Sequence, residues 1–261
     1  MPVDFYDITR TARVSSCNGV SFVTVSDRPL FRAAGWELSD KWDSSSRSKK
    51  TDGDTSADNV LRSQRRARLR LKELATCNDF SYFVTLTLDK EKIDRYDFSV
   101  ILKKLKNWLD NRVRRCGLCY ILVPERHKDG AIHFHGFFND SLPVVDSGHT
   151  DKNGHVVYNL PGWSFGFSTA ISLYGDYLAA VGYVCKYIAK DSEKIGGRWY
   201  YSGGDLRQPS YSYFNVDFDA AAAFPGAYVS TVPAVGCRII KLTFGDEKSL
   251  KDFLEKTQFT F

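Results

Sequence analysis

The sequence predicts an α+β fold in which a mainly antiparallel sheet carries helices on one face. The first observation is a pair of β-rich runs, residues 118–127 and 131–138, separated by the turn residues 128–130 (Lys-Asp-Gly). An Asp-Gly pair between two such runs is typical of a β-hairpin. The second observation is the helical spacing of apolar residues over 101–113 and 176–190. We therefore expect a hairpin whose second strand is central in the sheet, together with at least two amphipathic helices.

Three segments are expected along the 261 residues. Residues 1–42 form an N-terminal peripheral segment with a small hairpin about Asn18 and Gly19. Residues 43–58 are rich in Ser, Asp and Lys, a composition that predicts a flexible linker. Residues 59–261 are expected to form the main domain, its core motifs between 81 and 192, with a C-terminal extension.

Two histidines are expected to share one face of the second hairpin strand. Because side chains alternate across a strand, His133 and His135 point to one face and Phe134 to the other. Across the turn, Glu125 falls opposite His133 if the register is centred on Asp129. Two imidazoles and a carboxylate can hold a divalent cation. Mg²⁺ or Mn²⁺ is expected if phosphate is the substrate, although Zn²⁺ and Fe²⁺ accept the same ligands.

The histidine pair is weak evidence when it stands alone. An isolated His-x-His triplet more often represents two polar residues on a half-exposed strand. The added Glu125 and the tyrosines described next favour the metal site. His127, nearer the turn on the same face, is either an alternative ligand or a solvated residue beside the turn.

Two tyrosines lie on the predicted helix 176–190, and each is followed three residues later by a lysine. Tyr183 and Tyr187 are four residues apart and so share a helix face, with Lys186 and Lys190 one turn beyond them. A phenol can attack a phosphodiester, and a nearby lysine can stabilise the phosphate charge or lower the phenol's pKa. Tyrosines on an amphipathic helix also commonly pack with their hydroxyls at the surface. The predicted metal site on the hairpin, Glu125 with His133 and His135, favours a catalytic role for these tyrosines.

Together these motifs resemble those of the HUH endonucleases that initiate rolling-circle replication. The run 83–88 (FVTLTL), then Glu125 with the triplet 133–135, then the tyrosine helix follow the family's order. The resemblance implies a ferredoxin-like (RRM-like) sheet with the histidine motif on a central strand. It also implies metal-dependent nicking of one DNA strand at an origin, which leaves a 5′-phosphotyrosine and a free 3′-OH.

The tandem tyrosines are similar to those of the A proteins of small icosahedral phages. In a group of Gram-positive plasmid initiators that resembles residues 187–192, a glutamate replaces the earlier tyrosine. By that analogy Tyr187 is the first nucleophile and Tyr183 the second.

The resemblance also implies partners and rival functions. Single-stranded or supercoiled origin DNA would be the substrate. The sequence contains no GxxxxGK[ST] phosphate loop, so unwinding would need a host helicase, and a host polymerase would extend the 3′ end. A transposase or a mobilisation relaxase would use the same centre. A sequence-specific DNA-binding regulator would need no tyrosine chemistry, and a zinc hydrolase would use the same ligands on a small substrate.

A basic segment is expected to contact the DNA backbone. The net charge of +5 is modest, but one short run contains Arg62, Arg65, Arg66, Arg68, Arg70 and Lys72. Few acids accompany them, so DNA contact is favoured over a solvated helix face. A second basic run, 103–115, is explained equally well as the outer face of a helix. Thr85 and Thr87 are candidates for lining the DNA groove, although β propensity explains them equally well.

The sequence predicts a cytoplasmic protein of a bacterial host. No apolar run reaches membrane-spanning length, and the nearest to it, 220–236, is interrupted by Pro225 and Pro233. The N-terminus has no basic and apolar signal pattern. The six cysteines, at irregular positions, are expected to be reduced thiols.

Overall fold

The computed structural model of the protein describes residues 9–28, 31–32, 56–173, 175, 177–190, 193–232 and 236–258. These residues contain three antiparallel sheets and five helices, which confirms the predicted α+β class. The chain divides into two units. We call residues 59–207 the core unit, and residues 1–58 with 208–261 the terminal unit. None of the described helices combines the length and the apolar character needed to cross a lipid bilayer.

The elements in chain order are β1 (Thr9–Arg10), β2 (Ala12–Cys17), β3 (Val20–Ser26), β4 (Phe31–Arg32), α1 (Ser56–Thr76), β5 (Tyr82–Thr87), α2 (Phe98–Cys116), β6 (Tyr120–Arg126), β7 (Ile132–Phe138), β8 (Val145–Thr150), β9 (Val156–Asn159), β10 (Ser168–Ser172), α3 (Tyr177–Lys190), β11 (Tyr201–Gly203), β12 (Ser210–Phe214), α4 (Phe218–Ala222), β13 (Tyr228–Val232), β14 (Cys237–Phe244) and α5 (Glu247–Thr257).

The sheet of the core unit has the strand order β11-β6-β7-β5-β10-β9-β8. β7, which carries the two histidines, is paired on both sides and is therefore an interior strand, as predicted. The β6–β7 hairpin is also present. In its turn the Gly130 N–H donates to the carbonyl of His127 at 2.9 Å, and Gly130 adopts φ +87°, a conformation that favours glycine.

Helices cover both faces of this sheet, rather than one face as the sequence analysis expected. α2 packs on the face that presents Leu122 and Phe134. α1 and α3 pack on the opposite face, against Val123 and Phe137. The reason is that the central strands carry large apolar side chains on both sides. Phe134 and Phe137, on opposite faces of β7, are both fully buried, and each face needs its own cover.

The terminal unit contains a second sheet, with the order β12-β2-β3-β14-β13. Its hairpin β2–β3 turns at Asn18 and Gly19, which both have positive φ (46° and 79°), as in a type I′ turn. This hairpin occupies inner positions of the sheet rather than forming a peripheral ribbon. Residues 208–261 were expected to belong to the main domain, but their strands pair with the N-terminal hairpin. The linker predicted at 43–58 lies outside the described residues up to residue 55, and α1 begins at Ser56.

Candidate functional site

Three neighbouring strands bring the candidate side chains to one face of the core sheet. His133 on β7 is directly opposite Thr87 on β5 and Glu125 on β6. The register predicted for Glu125 and His133 is therefore confirmed. Thr85 and His135 form the next row along the same face. Side chains directly opposite on paired strands have Cβ atoms about 5 Å apart, close enough to interact.

The side chain of Glu125, on β6, contacts one residue of β7 and one residue of α3. Its Oε2 atom is 2.8 Å from Nε2 of His135, and its Oε1 atom accepts a hydrogen bond from Nζ of Lys190 at 2.6 Å. A carboxylate can only accept, so Nε2 of His135 carries the hydrogen. The other ring nitrogen, Nδ1, is 3.1 Å from the hydroxyl of Thr85 and accepts from it. The imidazole of His135 is thus held at both nitrogens.

Both histidines are neutral at physiological pH. Burial lowers the pKa of His135 to about 4, although the neighbouring Glu125 acts in the opposite direction. Burial also lowers the pKa of His133, and the nearby His127 adds to this effect. Neutral imidazole is the form that binds a metal ion.

His133 lies apart from the Glu125–His135 pair. Its ring centroid is 6.5 Å from that of His135, and it stacks on His127 at 5.1 Å. Across the described part of the chain, no three side chains of His, Cys, Asp or Glu are grouped as a bound metal would require. Two of the three predicted ligands are therefore together, and His133 would have to reorient to join them.

The donor chemistry fits a divalent cation. A carboxylate and neutral imidazoles are common metal ligands, and each histidine has a threonine hydroxyl beside its Nδ1 atom: Thr85 at 3.1 Å and Thr87 at 3.5 Å. Coordination through Nε2 of His135 would move the ring hydrogen to Nδ1. The Thr85 hydroxyl suits either tautomer because it can donate or accept.

The two tyrosines of α3 lie over the histidine strand. The ring of Tyr187 stacks on that of His135, with centroids 4.1 Å apart and an angle of 6° between planes. The Tyr187 hydroxyl donates a hydrogen bond to the Tyr183 hydroxyl at 3.0 Å. The two differ in exposure, since Tyr187 is 6% exposed and Tyr183 is 50% exposed. Tyr187 is thus next to the proposed ligands, and Tyr183 is open to solvent.

The lysines of α3 lie over the tyrosine rings. Nζ of Lys190 is 4.5 Å from the ring centroid of Tyr187, and Nζ of Lys186 is 5.7 Å from that of Tyr183. The pKa of Tyr187 is raised, first by burial and then by its hydrogen bond to Tyr183. Lys190 therefore does not lower the pKa of this phenol overall. The other predicted role of Lys190, stabilising the phosphate, stays a prediction.

The basic segment proposed to bind DNA lies on α1, and its six members differ in exposure. Arg65, Arg66 and Arg68 are exposed. The partly buried members are Arg62, Arg70 and Lys72. Arg70 is 3.8 Å from Glu73, and burial lowers the pKa of Lys72. The three exposed arginines are therefore the best placed for phosphate contacts.

Two residues beside the site had no role in the sequence interpretation. The ring of Phe83 contacts those of His135 and Tyr183, at centroid distances of 6.3 and 5.8 Å. Strand alternation with Thr85 was a signal that could have identified it. Arg95 forms an ion pair with Asp129 at 3.5 Å, and its charge contributes to the lowered pKa of His133. No spacing in the sequence indicates that Arg95 lies near the hairpin.

Comparison with known proteins gives one finding. Residues 81–192 match the family model described as replication-associated protein ORF2/G2P. No curated protein and no solved structure matches the chain. The matched range contains every candidate residue outside α1, and it supports the resemblance to rolling-circle replication initiators that the motifs indicate. Residues 81–192 are therefore similar to replication-associated proteins of the ORF2/G2P family.

Proposed function

We propose that this protein initiates rolling-circle replication by nicking one DNA strand at an origin, and that a tyrosine remains attached to the cut end. The observation that carries the proposal is the stacking of Tyr187 on His135 at 4.1 Å, while His135 contacts Glu125 at 2.8 Å. A phenol, an imidazole and a carboxylate thus lie together on the face of a single sheet. The family match over residues 81–192 supports a role in replication.

The reaction is a transesterification with Tyr187 as the first nucleophile. The phenol oxygen bonds to the scissile phosphorus while the bond from phosphorus to the 3′ oxygen breaks. The phenol loses one proton and the 3′ oxygen gains one, so the step is balanced. The products are a 5′-phosphotyrosine and a free 3′-OH. Because the pKa of Tyr187 is raised, this phenol is protonated at physiological pH and has to lose its proton in the step.

Glu125, His133 and His135 would hold Mg²⁺ or Mn²⁺. When bound, the cation supplies positive charge that stabilises the scissile phosphate and the developing phenolate. Lys190 adds a second positive charge. Its ammonium group is 2.6 Å from Oε1 of Glu125 and lies over the ring of Tyr187. Its ammonium group is exposed enough to reach a phosphate placed beside that ring. Thr85 and Thr87 orient the histidines through their Nδ1 atoms.

Tyr183 is the second nucleophile in this scheme. Its hydroxyl is 3.0 Å from that of Tyr187, so both phenols can reach the same phosphate position. While one tyrosine holds the 5′ end, the other can attack a regenerated junction and release the circle. Lys186 has the same relation to Tyr183 as Lys190 has to Tyr187.

The proposal is tested by incubating the protein with single-stranded oligonucleotides and Mn²⁺ and separating the products under denaturing conditions. We expect a protein–DNA adduct that resists denaturation and disappears when the metal is removed with EDTA. His133→Ala, His135→Ala and Glu125→Ala should nearly abolish it, because each removes a ligand. If His127→Ala is more damaging than Glu125→Ala, the third ligand has been assigned incorrectly.

Mapping the adduct by mass spectrometry separates the two tyrosines. Tyr187→Phe should abolish the first adduct, whereas Tyr183→Phe should still form it and fail in repeated strand transfer. Tyr96→Phe, which alters an exposed tyrosine outside α3, is the matched control. An adduct found only on Tyr183 would reverse the roles. The absence of an adduct on either tyrosine would remove α3 from catalysis.

A further inference from the structure

Phe167 has the most exposed large hydrophobic side chain among the described residues, with 72% of its surface open to solvent. A single exposed hydrophobic residue needs no explanation by itself. Phe167 differs from an ordinary case in two respects, which are the fixed backbone beneath it and its position relative to the candidate site.

The backbone around Phe167 is anchored to the end of β5. The N–H of Thr87 donates to the carbonyl of Phe167 at 2.8 Å, and the N–H of Asp89 donates to the carbonyl of Phe165 at 2.9 Å. Trp163 donates its indole N–H to the carbonyl of Thr87 at 3.1 Å. At Gly166 a Cβ atom would lie 2.2 Å from the carbonyl oxygen of Thr87, so no larger residue fits there. The ring of Phe167 is exposed, but the chain that carries it is held in place.

Strand alternation places Phe167 on the face of the candidate site. Ala170 is buried in the cluster on the α2 side, and the hydroxyl of Ser168 bonds to the backbone of Leu160 within the protein. Phe167 lies just before β10, and the hydrogen bond from the Thr87 N–H to its carbonyl continues the β10–β5 pairing by one residue. In that pairing Phe167 is opposite Thr87, so the alternation of β10 directs its side chain to the face opposite Ser168. It adjoins Thr87, which is opposite His133 in the sheet. Phe167 thus extends the row of Glu125, His133 and Thr87 by one strand, roughly 10 Å from His133 at the usual strand spacing.

A nucleobase is the ligand whose chemistry suits an exposed aromatic ring on a fixed backbone at this position. Stacking on an aromatic side chain requires an unpaired base and tolerates any sequence, because every base has a π-face. The guanidinium of Arg95 is close enough to His133 to influence its pKa. Its positive charge would suit the phosphate backbone of the DNA strand that carries this base.

We propose that the ring of Phe167 stacks on a base of single-stranded DNA next to the phosphate that is cut. This inference rests on the proposed nicking function and names how the same site holds its substrate strand. It assigns Phe167 a role in binding the substrate strand, not in bond making.

The test measures affinity for a fluorescent oligothymidylate with the full-length protein in EDTA, where no cleavage occurs. Phe167→Ala should weaken binding about tenfold, or about 1.4 kcal/mol, because the stacked base loses its partner ring. Phe167→Leu should weaken it nearly as much, because leucine is apolar but has no ring, and Phe167→Trp should bind as well as the wild type. Tyr228→Ala, which removes a 65% exposed aromatic residue of the terminal unit, is the matched control.

A set of oligonucleotides with one abasic site at successive positions gives an independent readout. The wild type should lose affinity strongly at one position, and Phe167→Ala should be insensitive to an abasic site at that same position. Wild-type affinity in Phe167→Ala or in Phe167→Leu would overturn the stacking contact. An equal loss in Tyr228→Ala would overturn its specificity for this site.

Adduct formation in Mn²⁺ distinguishes this inference from the proposed function. Phe167→Ala should form the adduct at the wild-type rate when DNA is saturating and more slowly when it is dilute. A wild type that binds single strands but forms no adduct contradicts the nicking function and leaves the stacking contact supported by the affinity data. A variant that binds normally yet reacts slowly at saturation contradicts the binding role of Phe167.

Discussion

At the scale of single residues, the site depends on how the two histidine rings are held. Thr85 and Thr87 were candidates for lining the DNA groove, but their hydroxyls lie beside the Nδ1 atoms of His135 and His133. A hydroxyl in this position fixes the ring orientation and lets Nε2 face the ligand side. In the proposed site the two threonines would act through the histidines, and their role in lining the DNA groove stays a prediction.

Replacing Thr85 tests this role. Thr85→Val keeps the shape of the side chain but removes the hydroxyl, so nicking in Mn²⁺ should fall by about 10- to 100-fold, as is typical when a partner of a metal ligand is lost. Thr85→Ser should restore activity. The measurement is the rate of adduct formation as a function of Mn²⁺ concentration. Equal activity of the Val and Ser variants would show that the Thr85 hydroxyl is not needed and that Thr85 is an ordinary β-sheet residue.

The lowered pKa of His135 predicts how stability depends on pH. The unfolded chain has the ordinary value of 6.5 and the folded protein about 4, so below pH 6.5 the unfolded state binds a proton that the folded state does not. Folding stability should therefore fall as pH decreases from 6.5 towards 4. Between about pH 7 and about pH 5 this one group accounts for on the order of 2 kcal/mol.

Denaturant unfolding in EDTA measures this effect. The free energy of unfolding of His135→Gln should depend less steeply on pH than that of the wild type. His149→Gln, which alters an exposed histidine of β8, is the matched control and should keep the wild-type slope. An unchanged slope in His135→Gln would contradict the assignment of the pH dependence to His135.

Among the secondary-structure elements, those with a clear local sequence pattern were predicted correctly. The Asp-Gly turn and the alternation of 131–138 predicted the β6–β7 hairpin, its register and the shared face of His133 and His135. The apolar spacing of 176–190 predicted α3 and the proximity of its tyrosines. Side-chain partners were less predictable. The bond from Lys190 to Glu125 joins residues that are distant in sequence, and no periodicity indicates it.

The exposed arginines of α1 lead to a prediction about salt. If Arg65, Arg66 and Arg68 contact phosphates, replacing all three with Ala should lower affinity for single strands of any sequence. The dependence of log affinity on log salt concentration should become shallower by about 0.7 for each lost contact, or about 2 in all. Fluorescence anisotropy over a range of salt concentrations provides the measurement.

The control removes the same charge from the other unit. Lys248, Lys251 and Lys256 are exposed on α5, and replacing them with Ala changes the net charge by the same amount. This variant should keep the wild-type salt dependence. If both triple variants behave alike, the effect reflects net charge, and the α1 face is an ordinary solvated surface.

At the scale of the whole molecule, the division into units is what the sequence least revealed. The strands of the terminal sheet come from both ends of the chain, and pairing between such distant segments leaves no local signal. The core unit, by contrast, contains all seven strands of its sheet and buried clusters on both faces. Each side of its sheet therefore has a hydrophobic core made from its own residues.

A chain of residues 56–207 should accordingly fold without the rest. We expect cooperative unfolding in denaturant and a Mn²⁺-dependent adduct with single-stranded DNA. A chain that ends at residue 207 should lose the order of the β2–β3 hairpin, because β12 and β14 flank it and an isolated hairpin is only marginally stable. Backbone NMR spectra of both chains provide the measurement. An unfolded 56–207 fragment would mean that the core depends on the terminal unit.

The hydrogen bond between the two phenols limits how they can act. Tyr187 now donates to Tyr183, and an oxygen esterified to phosphate has no hydrogen left to give. If DNA is joined to Tyr187, the contact survives only when Tyr183 becomes the donor, so the bond reverses its direction. With DNA attached to Tyr187, Tyr183 therefore has to be protonated to keep the hydrogen bond. With DNA attached to Tyr183 instead, Tyr187 can remain the donor, so the direction of the bond depends on which tyrosine carries the strand.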